Sequence, residues 1–197
     1  MLMKNKKMLI MLSDSFFVKY DRVRFPEILQ KRNRPYILIC IEIDGVPFAL
    51  PLRSSIRHNH AFWTDEENRC GVDYSKAVVI SQLSDIDEEG KPYIRQSEFL
   101  ILREKRNQVL IQKGMKRYIK LYQRAKRDLS IEFNRNLVTM SSLQYFEEYL
   151  TKTSEQYAGL TENVELKLDE ADIVAKNTNE RLTHDNVFGR VRKAING

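Results

Sequence analysis

Apolar residues in the first eighty positions follow the patterns of β-strands. Met8–Leu12 is a short apolar run that predicts a first strand. Tyr36–Ile43 is almost entirely apolar and rich in isoleucine, which is typical of a strand covered on both faces. Asp44-Gly45 predicts a tight hairpin turn, because both residues tolerate a positive φ. Val46–Leu52 then returns as the second strand of the hairpin.

The second hairpin strand carries two prolines and leads into a polar segment. Pro47 and Pro51 have no N–H to donate, so this strand is expected at an edge of the sheet or with a bulge. Arg53–His60 follows, and a dense polar segment at the end of a buried strand is a common place for chemistry. The polar stretch His60–Gly71 predicts a loop, and Ala77–Ser81 predicts another short strand.

The spacing of apolar residues changes to three and four after residue 97, which predicts helices. A single long helix is expected over Ser97–Asp128, with Ser97 as its N-cap and a buried stripe of Leu110, Tyr118, Leu121, Tyr122, Ala125 and Leu129. Gly114 interrupts this helix and indicates close packing or a kink. Ser141–Leu150 predicts another helix, which buries Leu143, Phe146 and Leu150.

Strands followed by helices predict an α+β fold. Ser13–Tyr20 fits either a strand or a short helix, and Tyr93-Ile94 is expected to enter a further strand. A chain of 197 residues suits a single domain. We expect its core over about residues 8–150 and a C-terminal extension over 151–197.

The charge of the chain favours a polyanionic partner. Its formal net charge is +6 and its pI is about 9.2. No acidic residue occurs between positions 105 and 127, where nine basic residues lie: Lys105, Arg106, Lys113, Lys116, Arg117, Lys120, Arg124, Lys126 and Arg127. Such a helix face suits phosphate groups, and the alternative is a merely solvated surface.

Several classes of protein find no support in the sequence. The two cysteines, Cys40 and Cys70, give no disulfide framework, and Cys40 is expected to pack inside its strand. A zinc site from His58, His60 and Cys70 lacks a fourth ligand at a familiar spacing. Phosphate-binding loops, dinucleotide fingerprints and nucleophile elbows are missing. The N-terminal apolar run is too short for a signal peptide or a membrane span, so we expect a cytoplasmic protein with no membrane partner.

The polar segment after the hairpin contains the groups that metal-free RNA cleavage requires. Such a catalyst needs groups that transfer protons and positive charge beside the phosphorane. His58 and His60 titrate near neutral pH and suit proton transfer. The remaining candidates share positive charge or a hydroxyl group that can contact phosphate: Arg53, Arg57, Lys76, Ser54, Ser55 and Tyr74. The alternative is a polar loop whose histidines only form local hydrogen bonds.

Two readings without catalysis also fit these residues. Phe62, Trp63 and Tyr74 lie beside basic residues and could stack on unpaired bases, as in an RNA-binding module. Alternatively, Phe62 and Trp63 pack into a satellite core under the loop. In a further reading, the basic helix docks an acidic protein partner.

The sequence resembles the toxin endoribonucleases of type III toxin–antitoxin systems, the ToxN, AbiQ and TenpN group, and it is most similar to the TenpN branch. The resemblance rests on RPYILICIEIDGVPFALPLRSSIRH, on the phenylalanine and threonine of AFWT, and on GVDYSKAVVI. It continues more loosely along the basic helix and covers roughly residues 34–127.

This resemblance implies a twisted, partly barrel-like antiparallel sheet of the Kid and MazF kind, flanked by helices. It implies a sequence-selective endoribonuclease that needs no cofactor or metal and leaves 2′,3′-cyclic phosphate and 5′-hydroxyl ends. It also implies an RNA antitoxin, a small pseudoknot processed from a repeat array, which inhibits the toxin in an RNA–protein assembly. The expected substrates are cellular or phage RNA, and the expected role is phage defence by abortive infection.

The resemblance places the active site just after the second hairpin strand, where Ser54 matches the family's hydroxyl position best. The ToxN branch has a lysine shortly afterwards, whereas this chain has Ile56 and Arg57, and an arginine keeps its proton. We therefore expect His58 to lead proton transfer. The expected catalytic residues are Arg53, Ser54, Arg57, His58 and Lys76. The expected RNA-binding residues are Ser55, His60, Trp63, Tyr74, Ser75, Lys105, Lys113, Lys116, Arg117, Lys120 and Arg124.

Overall fold

Strand pairing confirms the α+β class. The computed structural model describes residues 9–31, 34–43 and 46–150, with the backbone alone for 37–43 and 46. All of these residues fall in one compact unit, Met1–Thr153. The predictions for the Asp44-Gly45 turn, the Cys40 side chain and the extension 151–197 lie outside the described residues. No helix within the described ranges is long and apolar enough to cross a membrane.

The strands form an antiparallel sheet with the predicted hairpin at its centre. The strands are β1 (Leu9–Leu12), β2 (Tyr36–Ile43), β3 (Val46–Arg53), β4 (Ala61–Asp65), β5 (Cys70–Asp73), β6 (Val78–Val79) and β7 (Ile86–Asp87). Their order in the sheet is β4-β5-β3-β2-β1-β7. β6 also pairs with β3, on the same side of β3 as β5. The predicted strands at 8–12, 36–43, 46–52 and 77–81 are therefore confirmed.

Of the two alternatives predicted for β3, an edge position or a bulge, the edge position is wrong. The pairing of β2 with β3 does shift register between Ile39 and Ile43, opposite Pro47. β3 pairs with β2 on one side and with both β5 and β6 on the other. β6 pairs with Phe48 and Ala49, whereas β5 pairs with Leu52 and Arg53. Leu52 donates its N–H toward the β2 side, to the carbonyl of Pro35, so the nitrogen of Pro51 faces the other side. That side has a gap between β6 and β5, and Pro51 needs no N–H there.

Four segments that the sequence did not predict as strand or helix become regular elements: β4, β5, β7 and a helix at residues 132–139. β4 occupies part of the stretch predicted as a loop, because its backbone pairs with β5 over Ala61–Asp65. A helix forms at Glu132–Thr139, where no helix was predicted. Tyr93-Ile94 does not enter a strand, and the ambiguous segment after β1 forms a short helix rather than a strand.

The single long helix that was predicted is instead two helices, which meet at Glu104. The five helices of the described residues are α1 (Asp14–Lys19), α2 (Gln96–Arg103), α3 (Lys105–Arg127), α4 (Glu132–Thr139) and α5 (Glu147–Leu150). Glu104 has an extended backbone, with ψ of 126°. The side-chain amides of Asn107 and Gln108 donate to the backbone carbonyls of Ile101 and Leu102, respectively. These bonds satisfy carbonyl groups at the C-terminal end of α2 that have no partner within the helix. The N-cap position of α2 is Arg95 rather than Ser97, and the side chain of Arg95 makes no capping hydrogen bond.

Helix α3 confirms part of the predicted stripe, since Tyr118, Tyr122 and Ala125 are buried. Its buried residues are Ile111, Met115, Tyr118, Ile119, Tyr122 and Ala125. Leu110 and Leu129 were predicted in the stripe, but each is 44% exposed. Leu110 precedes Ile111 by one residue and therefore points about 100° away from it.

The predicted helix at 141–150 is a 3₁₀ turn, Ser142–Tyr145, followed by the single turn of α5. Ser141 caps this turn, because its side chain accepts from the N–H of Leu143. The predicted burial of Leu143, Phe146 and Leu150 is confirmed. These side chains belong to the main core, together with Phe48 and Leu50 of β3.

Candidate functional site

A buried ion pair joins the ends of two neighbouring strands. Arg53 ends β3 opposite Gly71 of β5, and Asp73 ends β5. The guanidinium of Arg53 donates to Oδ2 of Asp73, whose side chain is fully buried. Because a buried carboxylate is costly without partners, Asp73 needs this cation and further hydrogen bonds. Asp73 was not among the predicted site residues.

Asp73 obtains those further bonds from the 3₁₀ turn Tyr74–Lys76, which it caps. Its Oδ1 accepts from the backbone N–H of Ser75 at 2.8 Å and from the Ser75 hydroxyl at 2.7 Å. Ser75 Oγ also lies 3.0 Å from Nε2 of His58. The predicted residues Arg53, Ser75 and His58 therefore meet, and Asp73 is the group that connects them. The Asx-turn pattern of Asp73 with Ser75 is the sequence signal that would have identified it.

The hydrogen bonds of His58 fix the state of its ring. Nδ1 accepts the backbone N–H of His60 at 3.2 Å, so this nitrogen carries no proton. The neutral ring therefore has its proton on Nε2, which donates to Ser75 Oγ. Burial lowers the pKa of His58 and outweighs the opposing charge of Asp73, while the nearby cations Arg53, Lys76 and Arg69 lower the pKa further.

His60 lies between His58 and helix α3. The centre of its ring is 5.6 Å from that of His58 and 5.2 Å from that of Tyr118. Burial and the neighbouring His58 lower the pKa of His60. Among the described residues, no hydrogen bond engages the ring nitrogens of His60. His60 is therefore neutral at pH 7 and has a nitrogen that can accept a proton.

Arg69 holds the polar segment in place, and the sequence analysis missed it. Its Nε donates to the carbonyl of Ile56 at 2.9 Å and its Nη2 donates to the carbonyl of His58 at 3.1 Å. The guanidinium also lies over the ring of Trp63, with Cζ 4.5 Å from the ring centre. Ile56 is buried and donates its N–H to the carbonyl of Arg69. These contacts hold the polar segment 53–60 against the strands, and the guanidinium of Arg69 covers one face of the Trp63 ring.

The outer rim of the segment carries exposed polar groups. Ser54, Ser55 and Arg57 are all exposed, and Ser55 has a left-handed backbone with φ of 56°. An open groove at this rim is lined by Ser55, Ile56, Arg57, Glu67, Asn68 and Arg69. The predicted hydroxyl and arginine groups therefore lie at the surface, on the same segment as the two histidines.

Three predicted residues lie away from this rim. Lys76 pairs with Glu27 and donates to the carbonyl of Met140 at 2.6 Å, so its ammonium group is already engaged. Tyr74 is buried in the core, where its ring cannot stack on a base. Phe62 packs against the core, as its alternative reading states, whereas Trp63 contacts Arg69.

The predicted RNA-binding residues of α3 are exposed, and they lie opposite the buried stripe of the helix. They are Lys105, Lys113, Lys116, Arg117, Lys120 and Arg124. The inner face of α3 contacts the candidate site instead, through Tyr118 against His60. Burial raises the pKa of Tyr74, and the charge of Arg117 opposes that rise to a smaller extent.

No group of three His, Cys, Asp or Glu side chains in the described part of the chain is placed to share a metal ion. Cys70 instead donates its thiol to the carbonyl of Asn68. Comparison of the chain with protein-family models, with curated proteins and with solved structures gives no match.

Proposed function

We propose that this chain is a metal-independent, sequence-selective endoribonuclease. It cleaves RNA through attack of the RNA's own 2′-hydroxyl group on the adjacent phosphate. The observation that carries the proposal is the pair of half-buried histidines, His58 and His60, beside exposed hydroxyl and guanidinium groups at the end of β3. Ser54, Arg57, His58 and His60 lie on one segment, which Arg69 anchors to the sheet. The products would be a 2′,3′-cyclic phosphate and a 5′-hydroxyl end.

The geometry favours His60 over His58 for proton transfer. Both nitrogens of His58 are engaged, and its Nδ1 accepts the N–H of His60, so His58 positions His60. A neutral His60 can take the proton of the 2′-hydroxyl group, whose oxygen forms the new bond to phosphorus. As the bond between phosphorus and the 5′-oxygen breaks, the 5′-oxygen takes a proton from water and His60 returns its proton to the solvent. Arg57 and the hydroxyl group of Ser54 contact the phosphate from the rim, where positive charge stabilises the phosphorane.

The biological part of the proposal rests on the resemblance over residues 34–127. We propose a toxin of a type III toxin–antitoxin system that acts in the cytoplasm, with a sheet related to those of Kid and MazF. A small pseudoknotted RNA, which the toxin also processes, would hold it inactive until phage infection. The substrates would be cellular or phage RNA.

The proposal is tested by incubating the purified chain with end-labelled RNA in the presence of EDTA. Wild-type protein should give discrete fragments with cyclic phosphate ends, and His60→Ala should lower the rate at least 100-fold, which is the scale of one proton-transfer group. Asn59→Ala is the matched control, because Asn59 is exposed between the two histidines and should keep full activity. Absence of cleavage by the wild type, or full activity of His60→Ala, would refute the assigned chemistry.

A specific observation supports a second candidate, an RNA-binding module without catalysis. Arg53 and Lys76, which were expected to hold the scissile phosphate, are engaged by Asp73 and Glu27. In such a module the histidines would only shape the loop. RNA affinity without cleavage in the wild type, lost on Arg57→Ala, would favour this second function.

A further inference from the structure

We propose that the outward face of α3 docks the phosphate backbone of folded RNA, at a surface separate from the segment of His58 and His60. This inference rests on the proposed function, because it takes RNA to be the partner. It adds a second contact surface, which holds the body of an RNA while the strand to be cut lies at the histidines.

Every exposed residue of α3 from position 113 to position 127 is basic. They are Lys113, Lys116, Arg117, Lys120, Arg124, Lys126 and Arg127. Lys126 pairs with Glu147 and lies to one side. The others recur every three or four residues and therefore form one stripe, which spans about 21 Å along the helix.

The stripe and the candidate site lie on opposite sides of the helix. The residues of α3 that face the sheet, among them Met115 and Tyr118, are buried, and the stripe lies about half a turn from them. His60 contacts Tyr118 on the inner side, and Gly114 lies against the hydroxyl group of Tyr74 there. A helix with its side chains is about 10 Å across, so the stripe and the histidines contact different parts of a bound RNA.

The composition of the stripe favours a phosphate backbone over bases or a protein. The two tyrosines of α3, Tyr118 and Tyr122, are buried on the opposite face of the helix. Between positions 113 and 127 the exposed surface of α3 therefore offers no aromatic ring for a base to stack on. It offers no apolar residue either, whereas the core of a protein–protein interface is apolar and poor in charge. Cations alone bind phosphates regardless of sequence, and folded RNA presents phosphates along its stem.

The test compares two variants with the same change in charge. The stripe variant carries Lys113→Glu, Lys116→Glu and Arg124→Glu. The control carries Arg22→Glu, Lys91→Glu and Arg103→Glu, which reverse three exposed basic residues outside α3. The probes are an RNA hairpin with a stem of about 12 base pairs, a short single-stranded RNA of mixed sequence, and poly-L-glutamate. Hairpin affinity is measured with His60→Ala added to each protein, so that the probe stays intact.

The stripe variant should bind the hairpin about 100-fold more weakly near 0.1 M salt, and the slope of log affinity against log salt should fall by about one for each cation removed. The control should change the affinity less than about threefold. With His60 restored, cleavage of the single-stranded RNA by the stripe variant should stay within about threefold of wild type.

Four outcomes would overturn the proposal. Equal losses in both variants would leave only net charge, and unchanged hairpin binding would remove the stripe as a contact. If the stripe variant loses both cleavage of the single-stranded RNA and binding of the hairpin, the stripe and the histidines belong to one contact surface. Preference for poly-L-glutamate over the hairpin would indicate an acidic protein partner. If the wild type cleaves nothing but the stripe variant still loses the hairpin, the nuclease proposal fails and the docking surface stands.

Discussion

Replacing Gly114 by alanine tests how tightly α3 packs against the turn that carries Ser75. A Cβ atom at position 114 would lie 2.2 Å from Oη, 2.6 Å from Cζ and 2.9 Å from Cε2 of Tyr74. Tyr74 is buried, and its backbone is held between Asp73 and Ser75 by the 3₁₀ turn. The ring cannot swing into solvent, so either α3 or the turn must shift.

Two effects of opposite sign decide the change in the free energy of unfolding. Alanine in place of glycine inside a helix stabilises it by about 1 kcal/mol. Overpacking a filled core costs about 1–3 kcal/mol. With three atoms inside 3.0 Å, we expect the steric cost to prevail, for a net loss of about 1 kcal/mol and a fall in the melting temperature of about 3 °C.

The assay is urea denaturation of four proteins: wild type, Gly114→Ala, Tyr74→Ala and the double variant. Without the tyrosine ring only the helix preference remains, so Gly114→Ala should stabilise the Tyr74→Ala background by about 1 kcal/mol. The coupling energy between the two sites is therefore about 2 kcal/mol, within the range for residues in contact. Lys113→Ala, at an exposed neighbour, should change stability by less than about 0.5 kcal/mol.

The sign of the effect is the critical result. If Gly114→Ala stabilises the wild type as much as it stabilises the Tyr74→Ala background, Tyr74 does not limit the space at this position. The close approach of α3 to the turn would then be refuted, and with it the argument that α3 supports the site from its inner face.

Two further predictions concern the buried polar groups of the site. Because burial lowers the pKa of His58 and His60, the unfolded chain binds more protons near pH 6, so the free energy of unfolding should fall as the pH drops from about 7 through 6.5. Urea titrations at several pH values should show this slope in the wild type and not in a His58→Gln, His60→Gln variant; equal slopes would contradict it. Asp73→Ala leaves Arg53 and the N–H of Ser75 without an acceptor and should cost about 3 kcal/mol, measured by denaturation, whereas a loss below about 1 kcal/mol would show that the buried pair is not structural.

Local sequence patterns were sufficient to predict elements whose hydrogen-bond partners lie nearby in the chain. The hairpin of β2 and β3 needed only two apolar runs and a two-residue connection, and its strands pair at Ile43 and Val46. The apolar spacing also predicted the burial of Phe146 and Leu150, although their segment forms a 3₁₀ turn and a single helical turn instead of one helix. The close packing expected at Gly114 is also observed, against Tyr74.

Patterns failed where the partner of a residue is distant in sequence. β4 was predicted as part of a loop because polar segments flank its short apolar run at residues 61–63, and it becomes a strand through backbone pairing with β5. Pro51 suggested an edge strand, yet it fits inside the sheet because two short strands share one side of β3 and leave a gap beside it. Neither arrangement leaves a periodic signal.

The same division holds for the candidate site. Sequence alone identified His58 and His60 as candidates for proton transfer, together with the basic and hydroxyl residues around them, because this chemistry is a property of residue type. Tertiary structure decided their environment: it paired Arg53 with Asp73, directed Lys76 to Glu27 and fixed the tautomer of His58. The physical reason is that charge and hydrogen-bonding capacity belong to a side chain, whereas pairing, burial and pKa depend on the neighbours that folding brings within a few ångströms.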